Sequence, residues 1–266
     1  MSRGEIARVF RALYADGIRL VFVQGGEPML RRDLVEVLED LAAIGFSLTL
    51  ITNGTRLTQE TVERLVALPL SYSISLDTLN RDRYRQIRGA DQLALVSAGV
   101  ALLAKARNPK YLTCIVSDVN RGDVLEVVRF ARSQGFIPVV GAYHWGLDRY
   151  GKVDPLLQYE QAQAAAVFRA VAQSGLVPRG YYRQYVQDNI DWLEGRSLGR
   201  CDAGRYSIEG DRVIHHVEVC WIPNWEGRDL VRLASFPRED RILLRTPGGT
   251  SARPSPLQEV LWERMK

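Results

Sequence analysis

The first 175 residues alternate between short apolar segments and longer amphipathic segments, and this alternation constrains the fold more than any other feature. Each of five apolar runs of strand length is followed by a stretch whose apolar residues have helical spacing. Strands that alternate with helices form βαβ units, which build a parallel sheet, so the fold class is α/β. The predicted strands are 19–23, 46–51, 71–76, 111–116 and 136–143.

Helices are predicted between these strands and before the first of them. Ser2 and Glu5 have the spacing of a capping box, so a helix begins almost at the start of the chain and ends at Gly17. A chain of βα repeats should open on a strand, and we therefore expect a strand to be missing before this helix. Further helices are predicted at 31–44, 58–68, 92–107, 120–135 and 158–173, with a polar connection at 78–91.

The pattern changes after residue 175. Residues 206–208 and 213–219, on either side of a Gly-Asp turn, predict a β-hairpin. Residues 246–256 are rich in Gly, Pro and Ser, which is typical of a linker, and 257–265 predict a short helix. The predicted domains are therefore a βα partial barrel over 1–175, a small hairpin extension over 176–245, and a linker with a terminal helix over 246–266.

Composition excludes several classes of protein. The net charge of +4 over 266 residues is mild, and no dense Lys/Arg cluster indicates a nucleic-acid partner. No apolar run reaches the roughly 20 residues that a membrane span needs, and the N-terminus has no apolar signal region. Three cysteines are too few for a secreted disulfide scaffold. We expect a cytoplasmic protein with no membrane partner.

Polar residues follow three of the predicted strands at their carboxyl ends. These segments are 24–28 (QGGEP), 52–54 (TNG) and 75–77 (SLD). Ligands bind at this end of the strands in open α/β sheets and in βα barrels. Gly25 and Gly26 carry no side chain, so a ligand can approach their backbone, and Pro28 suits the entry to a helix. A strand-to-helix turn alone would also explain the QGGEP segment.

The order and spacing of these segments, with an IRG sequence at 87–89, resemble the radical S-adenosylmethionine (SAM) superfamily. The resemblance covers roughly residues 1–145 and implies a partial βα barrel of parallel strands. It also implies that SAM is a bound cofactor, with the ammonium group of its methionyl end near the glycine-rich turn. The residues implied in SAM binding are Gln24, Gly25, Gly26, Glu27, Pro28, Thr52, Asn53, Ser75, Asp77 and Arg88.

Individual roles follow from the same resemblance, and two of them have alternatives. Ser75 and Asp77 match positions that face the ribose and the methionyl carboxylate of SAM. Arg88 can pair with that carboxylate in bidentate fashion, or form an ordinary surface ion pair. Glu27 either adds a negative charge near the ammonium group or orients the loop. Gln24 offers both a hydrogen-bond donor and an acceptor.

Members of this superfamily hold a [4Fe–4S] cluster with three cysteines in a CxxxCxxC loop after the first strand. No cysteine precedes Cys114 in this chain, and thiolates are the usual cluster ligands. We therefore expect a truncated chain that does not cleave SAM as given, and we assign no catalytic residue. The alternative is a degenerate, non-catalytic relative.

Cys201 and Cys220 form a second cluster candidate. With the glycines between them they resemble the first half of a SPASM or twitch extension, which implies an auxiliary iron–sulfur cluster. Two thiolates cannot complete a four-ligand site alone, so two buried cysteines acting as small apolar residues are the alternative. His215 and His216 are not expected to be ligands, and Cys114 is expected in the core.

The resemblance implies an enzyme that uses SAM to abstract hydrogen from a substrate, with an electron donor as partner. The first substrate hypothesis is a peptide or protein. One alternative is a non-catalytic subunit that binds SAM or a peptide. A second is an unrelated βα enzyme with a phosphate site, which would need a fingerprint such as GxxxxGK[ST] that the sequence lacks.

Overall fold

A computed structural model describes residues 1–142 and 158–196, together with the backbone of three short strands beyond them. The first half alternates strands β1 to β5 with helices, and two further helices follow. The strands are β1 (Leu20–Val23), β2 (Ser47–Thr52), β3 (Leu70–Ser75), β4 (Lys110–Val116) and β5 (Ile137–Ala142). The helices are α1 (Arg3–Ala15), α2 (Leu34–Ile44), α3 (Gln59–Leu65), α4 (Arg81–Arg88), α5 (Leu93–Ala104), α6 (Val124–Ser133), α7 (Gln161–Gln173) and α8 (Tyr181–Leu193).

The five strands form one sheet in the order β1-β2-β3-β4-β5. The pairings of β3 with β4 and of β4 with β5 are parallel, and Ser75 lies opposite Thr113. Consecutive strands that are neighbours in a parallel sheet require a crossover connection, and the helices between them provide it. The α/β class and the parallel sheet predicted from the sequence are confirmed.

One face of the sheet carries the core. Leu70, Tyr72 and Ile74 alternate along β3, and each is at most 1% exposed. Leu112 and Val116 lie on the corresponding face of β4 because Ile74 is paired with Leu112. Helix α6 contacts both β4 and β5. Each fully buried aliphatic side chain contributes about 1.5–3 kcal/mol, so this face accounts for much of the stability of the sheet.

Two compact units divide the described chain, and one of them contains residues 1–21 and 33–48. Within it α1 begins at a capping box, as predicted: the Glu5 N–H donates to Ser2 Oγ and the Ser2 N–H donates to Glu5 Oε2. Helices α1 and α2 are joined by an ion pair between Arg3 and Asp40, 2.5 Å from Nε to Oδ2. Phe46 packs edge-on against two aromatic rings of α1.

The other unit contains residues 22–32 and 49–199, and it holds two helices that the sequence did not predict. Helix α4 lies inside the expected polar connection, because Asn80 Oδ1 accepts hydrogen bonds from the N–H groups of Asp82 and Arg83. Helix α8 packs against α7 with Val186, Ile190 and Leu193 buried. Helix α2 begins later than predicted because a 3₁₀ turn, Pro28–Leu30, precedes it.

Beyond residue 196 only short strands are described. Strands β6 (Tyr206–Glu209) and β7 (Arg212–His215) pair antiparallel, as the hairpin prediction requires. A third strand, β8 (Phe236–Pro237), pairs with β7. The predicted linker at 246–256 and helix at 257–265 lie outside the described residues. The bounds of the three predicted domains stay predictions.

None of the described helices is both long and apolar enough to cross a bilayer by itself. Helices α4 and α5 reach the required length only together, across a bend of 99°.

Gly45 provides a test of the packing between α1 and the end of α2. Its φ is +113°, and a β-carbon there would lie 2.7 Å from Tyr14 Oη. We expect Gly45→Ala to lower the free energy of unfolding by roughly 1–2 kcal/mol, measured by urea denaturation. Gly122→Ala is the control, because no described atom lies within 4 Å of its β-carbon position. Equal stability of the two variants would contradict the packing described.

Candidate functional site

The segment 24–28 lies immediately after β1, as predicted. Gln24, Gly25 and Gly26 are exposed, and Glu27 and Pro28 are half-buried. A β-carbon at either glycine would meet no described atom within 4 Å beyond its chain neighbours, so open space surrounds this turn. Pro28 begins the 3₁₀ turn, and Glu27 caps it by accepting a hydrogen bond from the Met29 N–H at 3.0 Å. The turn is therefore rigid at its end and open at its glycines.

The Glu27 carboxylate joins this turn to the end of β2. Thr52 Oγ1 donates to Glu27 Oε1 at 2.6 Å, and the Asn53 N–H donates to Oε2 at 2.7 Å. Hydrogen bonds to a charged group contribute about 1.5–3 kcal/mol each. Of the two roles considered for Glu27, the structure supports orientation of the loop, because both of its oxygens already have partners.

Residues 52–54 form a compact turn after β2. Thr52 Oγ1 accepts a hydrogen bond from the Gly54 N–H at 3.1 Å. Asn53 Oδ1 accepts from the N–H and the hydroxyl of Thr55, at 2.9 and 2.7 Å. The Asn53 side-chain nitrogen donates to no other described residue. This amide can therefore donate to a ligand beside the glycine-rich turn without breaking an internal bond.

Asp77 connects β3 to β4, as Glu27 connects the loops after β1 and β2. Its side chain is buried, and its Oδ1 accepts a hydrogen bond from the Ile115 N–H at 2.9 Å. Its Oδ2 is paired with Arg88 of α4, whose side chain is 34% exposed. The structure thus realises the ion-pair alternative for Arg88, with a buried partner. The Ser75 hydroxyl makes no side-chain hydrogen bond with other described residues.

A buried polar network lies beneath Asp77, and sequence reasoning did not assign it to the site. Asn120 is fully buried and its side-chain nitrogen donates to the carbonyl oxygens of Asp77 and Ile115, both at 2.8 Å. Asp123 accepts from the Thr78 hydroxyl and pairs with Arg83. In the sequence, Asn120 and Asp123 predict the start of a helix. The sequence does not indicate which residues they contact.

Cys114 lies in the same network, in the core as predicted. Its thiol is within 3.6 Å of the Asp77 carbonyl oxygen. Burial raises the pKa of the Cys114 thiol well above its usual value, and the negative charge of Asp77 raises that pKa further. Cys114 is therefore a neutral thiol at neutral pH.

No cluster of three or more His, Cys, Asp or Glu side chains suited to a metal ion occurs within the described residues. The two cysteines predicted as ligands of an auxiliary cluster, Cys201 and Cys220, lie outside them, as does His216. The ligand role of these cysteines stays a prediction.

Comparison with known families agrees with this geometry. Residues 1–131 match the family model of the Radical SAM superfamily. This segment is thus similar to the radical SAM domains of that superfamily. Residues 195–265 match a different model, that of a lipocalin-like domain, and they include all three strands of the C-terminal antiparallel sheet. This match describes the C-terminal region differently from the SPASM or twitch extension, which remains unconfirmed.

Relatives with assigned functions match about half of this chain or more. A probable GTP 3',8-cyclase of Pyrococcus abyssi is 36% identical over 132 residues, which are 49% of this chain and 43% of the relative. GTP 3',8-cyclase 1 of Mycobacterium tuberculosis is 28% identical over 194 residues, or 62% of this chain and 54% of the relative. The chain thus spans about half the length of these relatives.

Solved structures share the fold. Streptococcus suis SuiB bound to S-adenosylmethionine matches 65% of this chain and 39% of that chain, with a TM-score of 0.56 and 17% identity. Native anSMEcpe with bound AdoMet and Kp18Cys peptide matches 78% of this chain and 62% of that chain, with a TM-score of 0.56 and 15% identity. At these identities the likeness concerns the fold alone.

Glu27→Gln tests the joint between the two loops. A glutamine side chain has one acceptor oxygen in place of two. Its NH₂ group would face a hydrogen-bond donor, either the Thr52 hydroxyl or the Asn53 N–H. We expect the free energy of unfolding to fall by about 1–3 kcal/mol, measured by urea denaturation. Glu60→Gln, in the first turn of α3, is the control and should change stability much less. If both variants lose the same amount, Glu27 does not hold the loops together.

Proposed function

We propose that this chain is the SAM-binding part of a radical SAM enzyme. The observation that carries the proposal is the pairing of strand ends: Glu27 joins the loops after β1 and β2, and Asp77 joins the ends of β3 and β4. The four strands are consecutive in the sheet. The order of the strands and the two carboxylates support a binding site for one ligand along this edge of the sheet.

The donor and acceptor groups along this edge fit SAM. The open space at Gly25 and Gly26 suits the approach of an ammonium group to backbone carbonyls. The Asn53 amide and the Ser75 hydroxyl are proposed as hydrogen-bonding groups for the ligand, with Gln24, Thr52 and Pro28 shaping the turn. The hydrogen bonds of the Glu27 carboxylate hold this turn in place next to the loop after β2.

Arg88 is proposed to bind the methionyl carboxylate of SAM. Asp77 holds one nitrogen of its guanidinium, and the group presents further donors because about a third of the side chain is exposed. A buried carboxylate behind an arginine fixes the direction of the guanidinium plane. Asp77 thus positions Arg88 and is not itself proposed to contact the carboxylate, since like charges repel.

SAM, when bound beside a reduced [4Fe–4S] cluster, supplies the hydrogen-abstracting group in this superfamily. The described residues do not fit the cluster: Cys114 is a buried neutral thiol, and three ligands do not occur together. We therefore derive no step through the cluster. The role proposed for the described residues is to bind SAM and to orient its methionyl end. A non-catalytic SAM-binding subunit would use the same residues.

For the substrate we propose a purine nucleotide. Two relatives that are 36% and 28% identical to this chain over the aligned residues are named GTP 3',8-cyclases, one of them a probable one. The alternative of a peptide or protein substrate is favoured by fold-level neighbours that hold a peptide, at 15% and 18% identity. A cytoplasmic location and an external electron donor belong to the same proposal.

Calorimetric titration with SAM tests the binding site. We expect saturable binding by the chain, and at least about a tenfold weaker affinity for Gly26→Val, whose side chain would enter the proposed ligand space. Because that space holds no described protein atom, the substitution should leave the thermal midpoint nearly unchanged. Gly4→Val, in equally open space on α1, is the control. Absence of SAM binding by the parent chain, or unchanged binding by Gly26→Val, would contradict the proposal.

A second titration tests the substrate. With SAM present at saturation, GTP should bind at least about tenfold more tightly than CTP, because a site for a purine leaves polar groups unpaired when a pyrimidine enters. Equal affinity for the two nucleotides would contradict the purine assignment while leaving the SAM site intact.

A further inference from the structure

Asn120 is a fully buried polar side chain near the proposed SAM site. It is 0% exposed, and both ends of its amide are hydrogen-bonded. Its nitrogen donates to the carbonyl oxygens of Asp77 and Ile115, and its oxygen accepts from the Ser117 N–H at 2.8 Å. One side chain therefore connects the end of β3, the end of β4 and the loop that follows β4.

Asp77 is therefore held at two different atoms, one from β4 and one from the loop that follows β4. Asn120 fixes its backbone carbonyl at 2.8 Å, and the Ile115 N–H fixes its carboxylate at 2.9 Å. The carboxylate in turn pairs with Arg88, and Ser75 lies two residues earlier on the strand. A displacement of this strand end would therefore move both groups proposed to contact SAM, Arg88 through its ion pair and Ser75 through the strand backbone.

A second connection lies one residue further along. The Thr78 hydroxyl donates to Asp123 and accepts from the Asn80 N–H at 3.0 Å, and Asp123 also pairs with Arg83. Asp123 occupies the N-cap of α6, yet its side chain makes no capping hydrogen bond. Helix α6 forgoes that stabilisation, and the carboxylate connects the loop after β4 to the loop after β3.

We propose that Asn120 is a positioning residue for the SAM site. It acts through Asp77, fixing the end of β3 so that Ser75 and Arg88 are presented in the geometry that binds the cofactor. The inference rests on the proposed function, since it concerns the same site. According to this inference, the buried side chain of Asn120 affects SAM affinity although it does not belong to the binding turn. A purely structural role in the core would not have this effect.

The rival explanation is that Asn120 only stabilises the sheet, and the chain offers a matched residue to separate the two. Asn108 lies at the opposite end of the same two strands. Its side-chain nitrogen also donates to two carbonyl oxygens, those of Leu68 and Leu70, each at 3.0 Å. Both asparagines connect β3 to the chain around β4, but only Asn120 does so beside the proposed ligand groups.

The experiment measures SAM affinity by calorimetry and the thermal midpoint for Asn120→Ala and Asn108→Ala in the 266-residue chain. Both variants should have lower midpoints. Asn120→Ala should weaken SAM binding by about tenfold or more, because small displacements of positioning groups have large effects. Asn108→Ala should bind SAM within about twofold of the parent chain. The SAM affinity of Asn120→Ser, which keeps a single donor, should lie between those of the parent chain and Asn120→Ala. This variant replaces Asn120→Ala in the test if the alanine variant does not fold.

Two results would overturn the inference. One is unchanged SAM affinity in a folded Asn120 variant. The other is a loss of affinity that follows the loss of thermal midpoint equally in the Asn120 and Asn108 variants. A parent chain that binds no SAM would instead refute the proposed function, so the two failures are distinguishable.

Discussion

The arrangement at the carboxyl edge of the sheet depends on one carboxylate, that of Glu27. It accepts hydrogen bonds from the Met29 and Asn53 N–H groups and from the Thr52 hydroxyl. A glycine-rich turn with open space around it has no packing of its own to hold it. Three donors on one charged group replace that packing, so the turn is ordered while its glycines stay accessible. The same principle recurs at Asp77, where a buried carboxylate joins β3, β4 and Arg88.

These joints explain how a βα sheet produces a binding edge. The apolar face of each strand decides which residues are buried, and the parallel register places the strand ends side by side. Loops then carry the polar groups, and carboxylates connect neighbouring loops. Asn120 and Asp123 extend this to the loop after β4, so side chains link the strand ends in two pairs, β1 with β2 and β3 with β4.

Much of the fold and part of the site were predictable from the sequence, for physical reasons. Strand and helix periodicity reflects burial, which dominates β2 to β5 and α5 to α7, and the capping box of Ser2 and Glu5 reflects local hydrogen bonds. Helix α4 was missed because a single residue, Tyr84, is buried on it, and its start depends on the Asn80 cap. The QGGEP turn was found because glycines and a proline are local signals. The partners of Glu27, Asp77 and Asn120 were not, since contacts across 25 to 43 residues of sequence leave no periodic pattern.

The central claim is that SAM binds along the edge formed by segments 24–28, 52–54 and 75–77. Hydrogen–deuterium exchange of the chain with and without SAM tests it most directly, because bound ligand and ordered loops slow amide exchange. Slower exchange confined to peptides that contain these three segments, and lost in Gly26→Val, is the predicted result. Slower exchange elsewhere in the chain with none at these segments would contradict the claim.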